Sequence, residues 1–335
     1  MNSVFLNGPT FDSRATQTDM GTRLAPTLQV LDAERQRQAA KCRTAAIVCV
    51  VIALVGALLV VGATGGRVSY WIIAPLLLAG IIYTFVAGGA KKAYADGFKT
   101  MVMPALVSAF GELHFTPNSG LGESEFNRAN LFPSPDRYSS EDLITGRIGE
   151  TSLRFSEVHA EERRTTTDGK GNTRTHYVTI FRGLFFIADF NKNFVGTTYI
   201  VPEGISGSLG RFGKSIQSLG GKMAGRGQLV QLEDPEFERQ FVVYSSDQTE
   251  ARYILSSSLM RRYLALEGRF GGEVSAAFLG GSLYLMVASG QNWFEPPSLS
   301  TPLTMQSLGP VLSQLQLTTG MVQNLDLNTR VWSKT

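Results

Sequence analysis

Apolar residues are distributed along this chain in three regimes, and each predicts a different kind of element. Ala45 to Ala63 and Tyr70 to Gly89 contain no charged side chain, and only Thr64 to Ser69 separate them. At about 1.5 Å of rise per residue the first run covers ~28 Å, close to the hydrocarbon thickness of a bilayer, whereas a soluble core helix seldom stays apolar on every face for so long. The pattern predicts two membrane-spanning helices joined as an antiparallel hairpin over 45–89, with backbone groups satisfied inside the helices. Gly56, Gly62 and Gly80 are candidate points of close approach, and Pro75 requires local readjustment.

The flanking segments have helical spacing. Leu24, Leu28 and Leu31 share a stripe, and Asp32 to Lys41 is rich in helix formers, so a juxtamembrane helix over 23–44 runs into the first span. Tyr94, Phe98, Met101, Val102, Ala105, Leu106 and Phe110 form a second stripe over 90–113, which Pro104 should bend or restart. The two stripes are expected to pack as a stalk. Residues 1–22 lack periodicity and read as a disordered tail, and 114–137, rich in Pro, Ser, Asn and Gly, reads as a linker with one short helix.

From Tyr138 the period becomes that of strands. Leu153 and Phe155 alternate with polar residues, a turn is signalled at Asp168 to Asn172, and a return run follows from His176 to Phe190, which together predict a long β-hairpin. Leu184 to Ala188 is apolar on both faces and should be a central strand. Further strands are expected at Thr197–Val201, Leu229–Leu232 and Phe241–Tyr244. Asp234-Pro235-Glu236 signals a helix start, and Asp247 with Glu250 signals another that runs past Ser256 to Ser258. Val274–Leu279, Gly280-Gly281 and Ser282–Ala288 spell a hairpin with a two-residue turn. Ser300-Thr301-Pro302 is expected to open a last helical stretch, interrupted at Gly309-Pro310. The fold class is therefore α+β: a transmembrane helical hairpin followed by a cytosolic domain over 138–335 of antiparallel β-hairpins and packed helices, as one body or as halves 138–202 and 229–335.

Charge adds orientation. Arg35, Arg37, Lys41 and Arg43 precede the first span and Lys91, Lys92 and Lys99 follow the second, while the connection between spans holds only Arg67. By the positive-inside bias both termini are cytoplasmic, in a multi-pass protein of the inner membrane. Residues 1–93 hold 9 Lys/Arg against 4 Asp/Glu, and 94–335 hold 22 against 24, so the overall charge of +3 belongs to the membrane flanks. The soluble part has no basic excess of the kind that marks nucleic-acid binders. Both cysteines, Cys42 and Cys49, lie in or beside the first span, which leaves no disulfide or thiolate metal site in the soluble part.

Candidate chemistry is sparse. Asp189, Asn191 and Lys192 end the apolar strand, and Glu157 shares a strand face with Leu153 and Phe155; two carboxylates at one rim could do acid–base work or hold a cation. The same Asp-Phe-Asn-Lys sequence is equally a strand-to-turn signal, which is the favoured reading. Ser208 to Ser215 approaches a phosphate-binding loop, but Ser208 replaces its leading glycine and the parallel-sheet frame is missing, so Lys214 and Ser215 are not expected to bind nucleotide. Arg211, Lys214, Lys222 and Arg226 occur with no acid between Glu203 and Glu233, which suits contact with an anionic lipid surface. The histidines have no metal-ligand spacing, and no cofactor or metal is expected.

Several segments resemble a bacterial membrane-protein family called domain of unknown function 3137: Tyr138-Ser-Ser-Glu-Asp-Leu143 with Gly146, Phe155-Ser-Glu157, Gly183-Leu-Phe-Phe186, Asp189-Phe-Asn-Lys192, Leu232-Glu-Asp-Pro-Glu-Phe237, and Val243-Tyr-Ser-Ser-Asp-Gln248 followed by Glu250 to Leu255. The resemblance covers the spans and most of 138–290. It implies topology and architecture and carries no reaction or catalytic residue. The expected function is a membrane-anchored cytosolic binding or scaffold module acting through a protein partner or the inner leaflet. The alternative is a membrane-tethered hydrolase or nucleotide-dependent enzyme.

Overall fold

In the computed structural model the described residues are 14–65, 70–167, 169, 171–190, 193–203, 227–325 and 327. They divide into a helical unit, Asp12–Ala105 with Glu295–Leu312, and a sheet unit, Leu106–Phe294 with the stretch from Ser313.

The helical unit is built on α1 (Arg14–Ala63) and α2 (Ile73–Met101). Helix α1 starts earlier than the sequence suggests, so the backbone of 14–22 is helical and Pro26 lies inside the helix. A 3-10 turn at Tyr70–Ile72 leads into α2 and puts Pro75 in its first turn, where an amide hydrogen would have no helical partner anyway. No hydrogen bond is lost there, and the anticipated readjustment is unnecessary. Of the three candidate glycines only Gly56 makes a close approach: a Cβ there would lie 2.5 Å from Cβ of Pro75, while Gly62 and Gly80 face open space. The stalk stripes do pack, since Leu24, Leu28, Leu31, Tyr94 and Phe98 are buried and a Cβ on Gly97 would meet Leu31 Cδ1 at 3.0 Å. Pro104 restarts the helix, as α3 (Met103–Ser108).

The sheet unit is one antiparallel sheet of nine strands among the described residues, in the order β1-β2-β3-β4-β9-β8-β5-β7-β6. The strands are β1 (Glu112–Thr116), β2 (Arg137–Ile148), β3 (Thr151–Thr167), β4 (Thr173–Asp189), β5 (Thr198–Pro202), β6 (Gln228–Leu229), β7 (Phe241–Ser245), β8 (Val274–Leu279) and β9 (Ser282–Ala288). Strand β1 takes the end of the helix expected over 90–113 and the start of the linker expected over 114–137; Leu113 and Phe115 alternate with exposed neighbours and pair with β2. Strand β4 is central as its two-faced apolar run predicts, between β3 and β9. Gly183 within it has φ +151°, and a side chain there would run into the Val287 carbonyl of β9.

Each face of the sheet has its own cover. On one, Val158, Phe181, Phe185, Ile187 and Tyr284 pack against Phe126 and Ala129 of α4 (Glu123–Ala129). On the other lie α5 (Pro235–Glu238), α6 (Gln248–Ile254) and α7 (Ser257–Phe270). Phe241 meets the Tyr263 ring edge-on at 4.9 Å, and the buried Tyr263 hydroxyl donates to the Val274 carbonyl at 3.1 Å. Asp234 and Asp247 cap α5 and α6 as their sequence predicts, each carboxylate accepting from two backbone amides. The single helix expected after Asp247 is instead two, because Ser256 takes an extended conformation and its hydroxyl accepts from the Leu259 amide to start α7. Glu250 does not complete a capping box: its carboxylate accepts from the Val195 and Gly196 amides, fixing the connection into β5.

The C-terminal part departs further from expectation. Pro302 to Leu308 is not helical; α8 (Gly309–Thr319) begins at the Gly-Pro pair where a break was expected, and α9 (Met321–Asn324) follows. Proline at the second position of α8 costs nothing in a first turn, whereas Pro296, Pro297 and Pro302 keep the preceding segment out of helix.

Candidate functional site

Strand pairing decides the fate of the proposed carboxylate pair. In an antiparallel ladder directly opposed residues share a face. Phe155 opposes Phe186 and Glu157 opposes Leu184, so Glu157 shares the face of Leu184, Phe186 and Ala188. Asp189 belongs with Phe185 and Ile187 on the reverse face, opposite Ser282 of β9. The expectation that the two reach one rim therefore fails. It matched each residue to its own strand's alternation without the register that relates the strands. Asn191 and Lys192 lie outside the described residues, as do Arg211, Lys214, Lys222 and Arg226 and the loop residue Arg67.

Glu157 has a structural task. It is 6% exposed, and its carboxylate accepts from the Trp293 backbone amide at 2.9 Å. The next amide, that of Phe294, donates to Gln314 Oε1 at 2.9 Å. Phe294 has φ +57°, a conformation that costs an aromatic residue energy unless its surroundings impose it. They do so here: its ring is fully buried, 6.3 Å from Phe155 and 6.2 Å from Trp293. This pinned corner is where the chain leaves the sheet unit.

A cleft of about 400 Å³ opens beside it, lined by Glu267 and Phe270 of α7, Gly271, Gly272, Glu273, and Ala288 to Gln291. Burial pushes both carboxyls above the ordinary range, and the negative charge of Glu273 adds to the rise at Glu267. No basic side chain is among the lining residues, so the cleft is suited to groups that donate hydrogen bonds or carry positive charge. Sequence reasoning missed it because Glu267 and Glu273 flank a Gly-Gly helix end that reads as a plain C-cap: Gly271 has φ +61° and its amide donates to the Glu267 carbonyl at 3.0 Å. No group of three or more His, Cys, Asp or Glu among the described residues could hold a metal ion.

The helical unit carries a polar cluster of its own. Asp32 on α1 accepts from Arg35 Nε at 2.6 Å, from Gln36 Nε2 at 2.8 Å and from the Leu303 backbone amide at 2.8 Å. Arg35 also donates to the Leu299 carbonyl at 2.6 Å. Lys99 on α2, 7% exposed, meets the Glu295 carboxylate at 3.1 Å. The Arg35 guanidinium holds the Asp32 carboxyl well down, to about 2. Burial pushes the nearby Tyr94 hydroxyl up to about 12. The segment 295–308 is thus strapped across the bases of both long helices, with a groove of about 280 Å³ left between α1 and Pro302 to Thr304. Its own turns are held by short local bonds, including the Thr304 amide to the Ser307 hydroxyl at 2.9 Å. The signal for this was present but unread: three prolines in a polar stretch, opposite a helix with Asp32 and Arg35 one turn apart.

Comparison with known proteins places part of the chain. A family model described as "Protein of unknown function (DUF3137)" matches residues 179–327. That stretch is similar to the family. The DUF3137 region starts within β4 and runs through the strap, α8 and α9, so it reaches further toward the C-terminus than the motif resemblance and does not include the two long apolar helices. Among solved structures, the crystal structure of the mycobacterial trehalose monomycolate transport factor A, TtfA, is similar at 7% identity with a TM-score of 0.32, covering 66% of this chain and 92% of that one. A likeness at that score supports no argument about fold or role. No curated protein matches.

Proposed function

We propose that this protein is a membrane-anchored, non-enzymatic binding or scaffold module: α1 and α2 cross the inner membrane with both ends in the cytoplasm, and the sheet unit carrying the DUF3137 region engages a protein partner from the cytosolic face. The observation that carries this reading is the way exposure changes along the same two helices. Leu58 is 71% exposed, Leu59 70% and Phe85 84%, while Leu31 is 2% and Phe98 0% exposed. Aliphatic side chains face outward over the two uncharged runs and inward over the flanks. Such a surface in water would be a large apolar patch, whereas in lipid it needs no cover. Tyr70 and Trp71 at the start of the second run suit a membrane–water interface. Of the flanking basic residues, Lys41, Arg43, Lys91 and Lys92 are exposed and can face lipid headgroups, which supports the orientation; Arg37 is exposed too and pairs with Glu34 at 3.7 Å.

The enzymatic alternative is the weaker reading, because Glu157 and Asp189 lie on opposite faces and Glu157 is occupied with the Trp293 amide. Contact of Arg211, Lys214, Lys222 and Arg226 with anionic lipid belongs to the proposal as an accessory. Washing membranes at alkaline pH tests the anchor: the full chain should stay with the pellet, and release into the wash would contradict it.

A further inference from the structure

We propose that the Glu295–Leu312 strap is a releasable latch that reads the packing of α1 against α2 at their bases. The argument rests on which helices hold it. Asp32 and Arg35 on α1 take the Leu303 amide and the Leu299 carbonyl, and Lys99 on α2 takes Glu295. These contacts can be satisfied together only for one relative placement of the helices, since charge-assisted hydrogen bonds weaken steeply with distance and angle. Leu303, Leu308 and Val311 seat the strap by apolar burial, but its prolines interrupt regular helix and ladder bonding and its remaining hydrogen bonds are mostly its own local turns, so its polar ties to the helices run through Asp32, Arg35 and Lys99. Its two ends are firm. It leaves the sheet unit at Phe294, whose amide and strained backbone are pinned by Gln314, and it returns through α8.

A shift or rotation of α1 along α2 therefore breaks the latch at one helix or the other. Lys99 argues for a device over a plain brace. A lysine this buried carries a desolvation cost that an apolar side chain would avoid, and its partner Glu295 remains partly exposed, within reach of water and of competing ions. The inference goes beyond the anchoring role proposed above and does not depend on which partner the sheet unit binds.

Hydrogen exchange followed by mass spectrometry on the full chain in lipid nanodiscs tests it. In the parent protein the strap amides should be protected. Lys99→Glu should raise exchange throughout 298–308 by about tenfold or more, the effect expected for losing one charge-assisted contact, with β3, β4 and β9 unchanged. Glu295→Lys should do the same, and the two together should restore protection. Lys99→Gln and Glu295→Gln provide the same comparison without introducing a like-charge clash. A strap that stays protected in the single variants, exchange that rises only next to the altered residue, or a swap that fails to restore protection would overturn the latch.

Discussion

Glu157 shows how a buried carboxylate can be mistaken for chemistry. At 6% exposure it would cost several kcal/mol unpaired, and the amide of Trp293 meets that need. Replacing it by alanine should lower the unfolding free energy by about 1–3 kcal/mol, because the Trp293 amide is left buried without that acceptor, and glutamine should recover part of the loss. Chemical denaturation in detergent measures both. Glu267 and Glu273 behave oppositely. Their folded carboxyls hold protons to higher pH than in the unfolded chain, so the pair destabilises the fold as pH rises above the ordinary carboxyl range. The double change to glutamine should raise the melting temperature at pH 7 and leave it nearly unchanged at pH 4; a loss at pH 7 would mean that the carboxylates are satisfied by a partner.

At the level of elements, the strap should respond to acid through Asp32. Its folded carboxyl lies near 2, below the ordinary value, because Arg35, the Leu303 amide and Gln36 all favour the charged form; Tyr94 is the other titratable group close by and stays neutral. The stabilisation is therefore complete above about pH 4 and is lost between about pH 4 and pH 2. Exchange protection of the strap should fall over that window and in Asp32→Ala at neutral pH. Most elements could be read from the sequence because each carries its own local rule. The β8–β9 hairpin follows from Gly280-Gly281 between alternating runs, and the caps follow from Asp234 and Asp247. What could not be read depends on partners distant in the chain. Nothing near Glu157 announces Trp293, and nothing near Asp32 announces Leu303. The facing of Glu157 and Asp189 depends on the β3–β4 register, in which a bulge at Ala160/Glu161 must be counted. The Pro-rich strap has no period at all, and its Ser300-Thr301-Pro302 reads as a helix start although the helix begins only at Gly309.

At the scale of the whole molecule, two ways of burying apolar surface meet in one chain. The sheet unit covers both faces of its central strands with helices, as a water-soluble domain must. The long helices bury their stripes only at the base and leave Ala45 to Ala63 and Tyr70 to Gly89 turned outward. One polypeptide with both patterns makes physical sense if two solvents surround it. The measurement that tests this most directly is a pair of reporter fusions, one inserted in the connection between Gly65 and Tyr70 and one after Thr335, read for periplasmic or cytoplasmic activity. The account predicts a periplasmic signal from the connection and a cytoplasmic one from the C-terminus; two signals from the same compartment would contradict it.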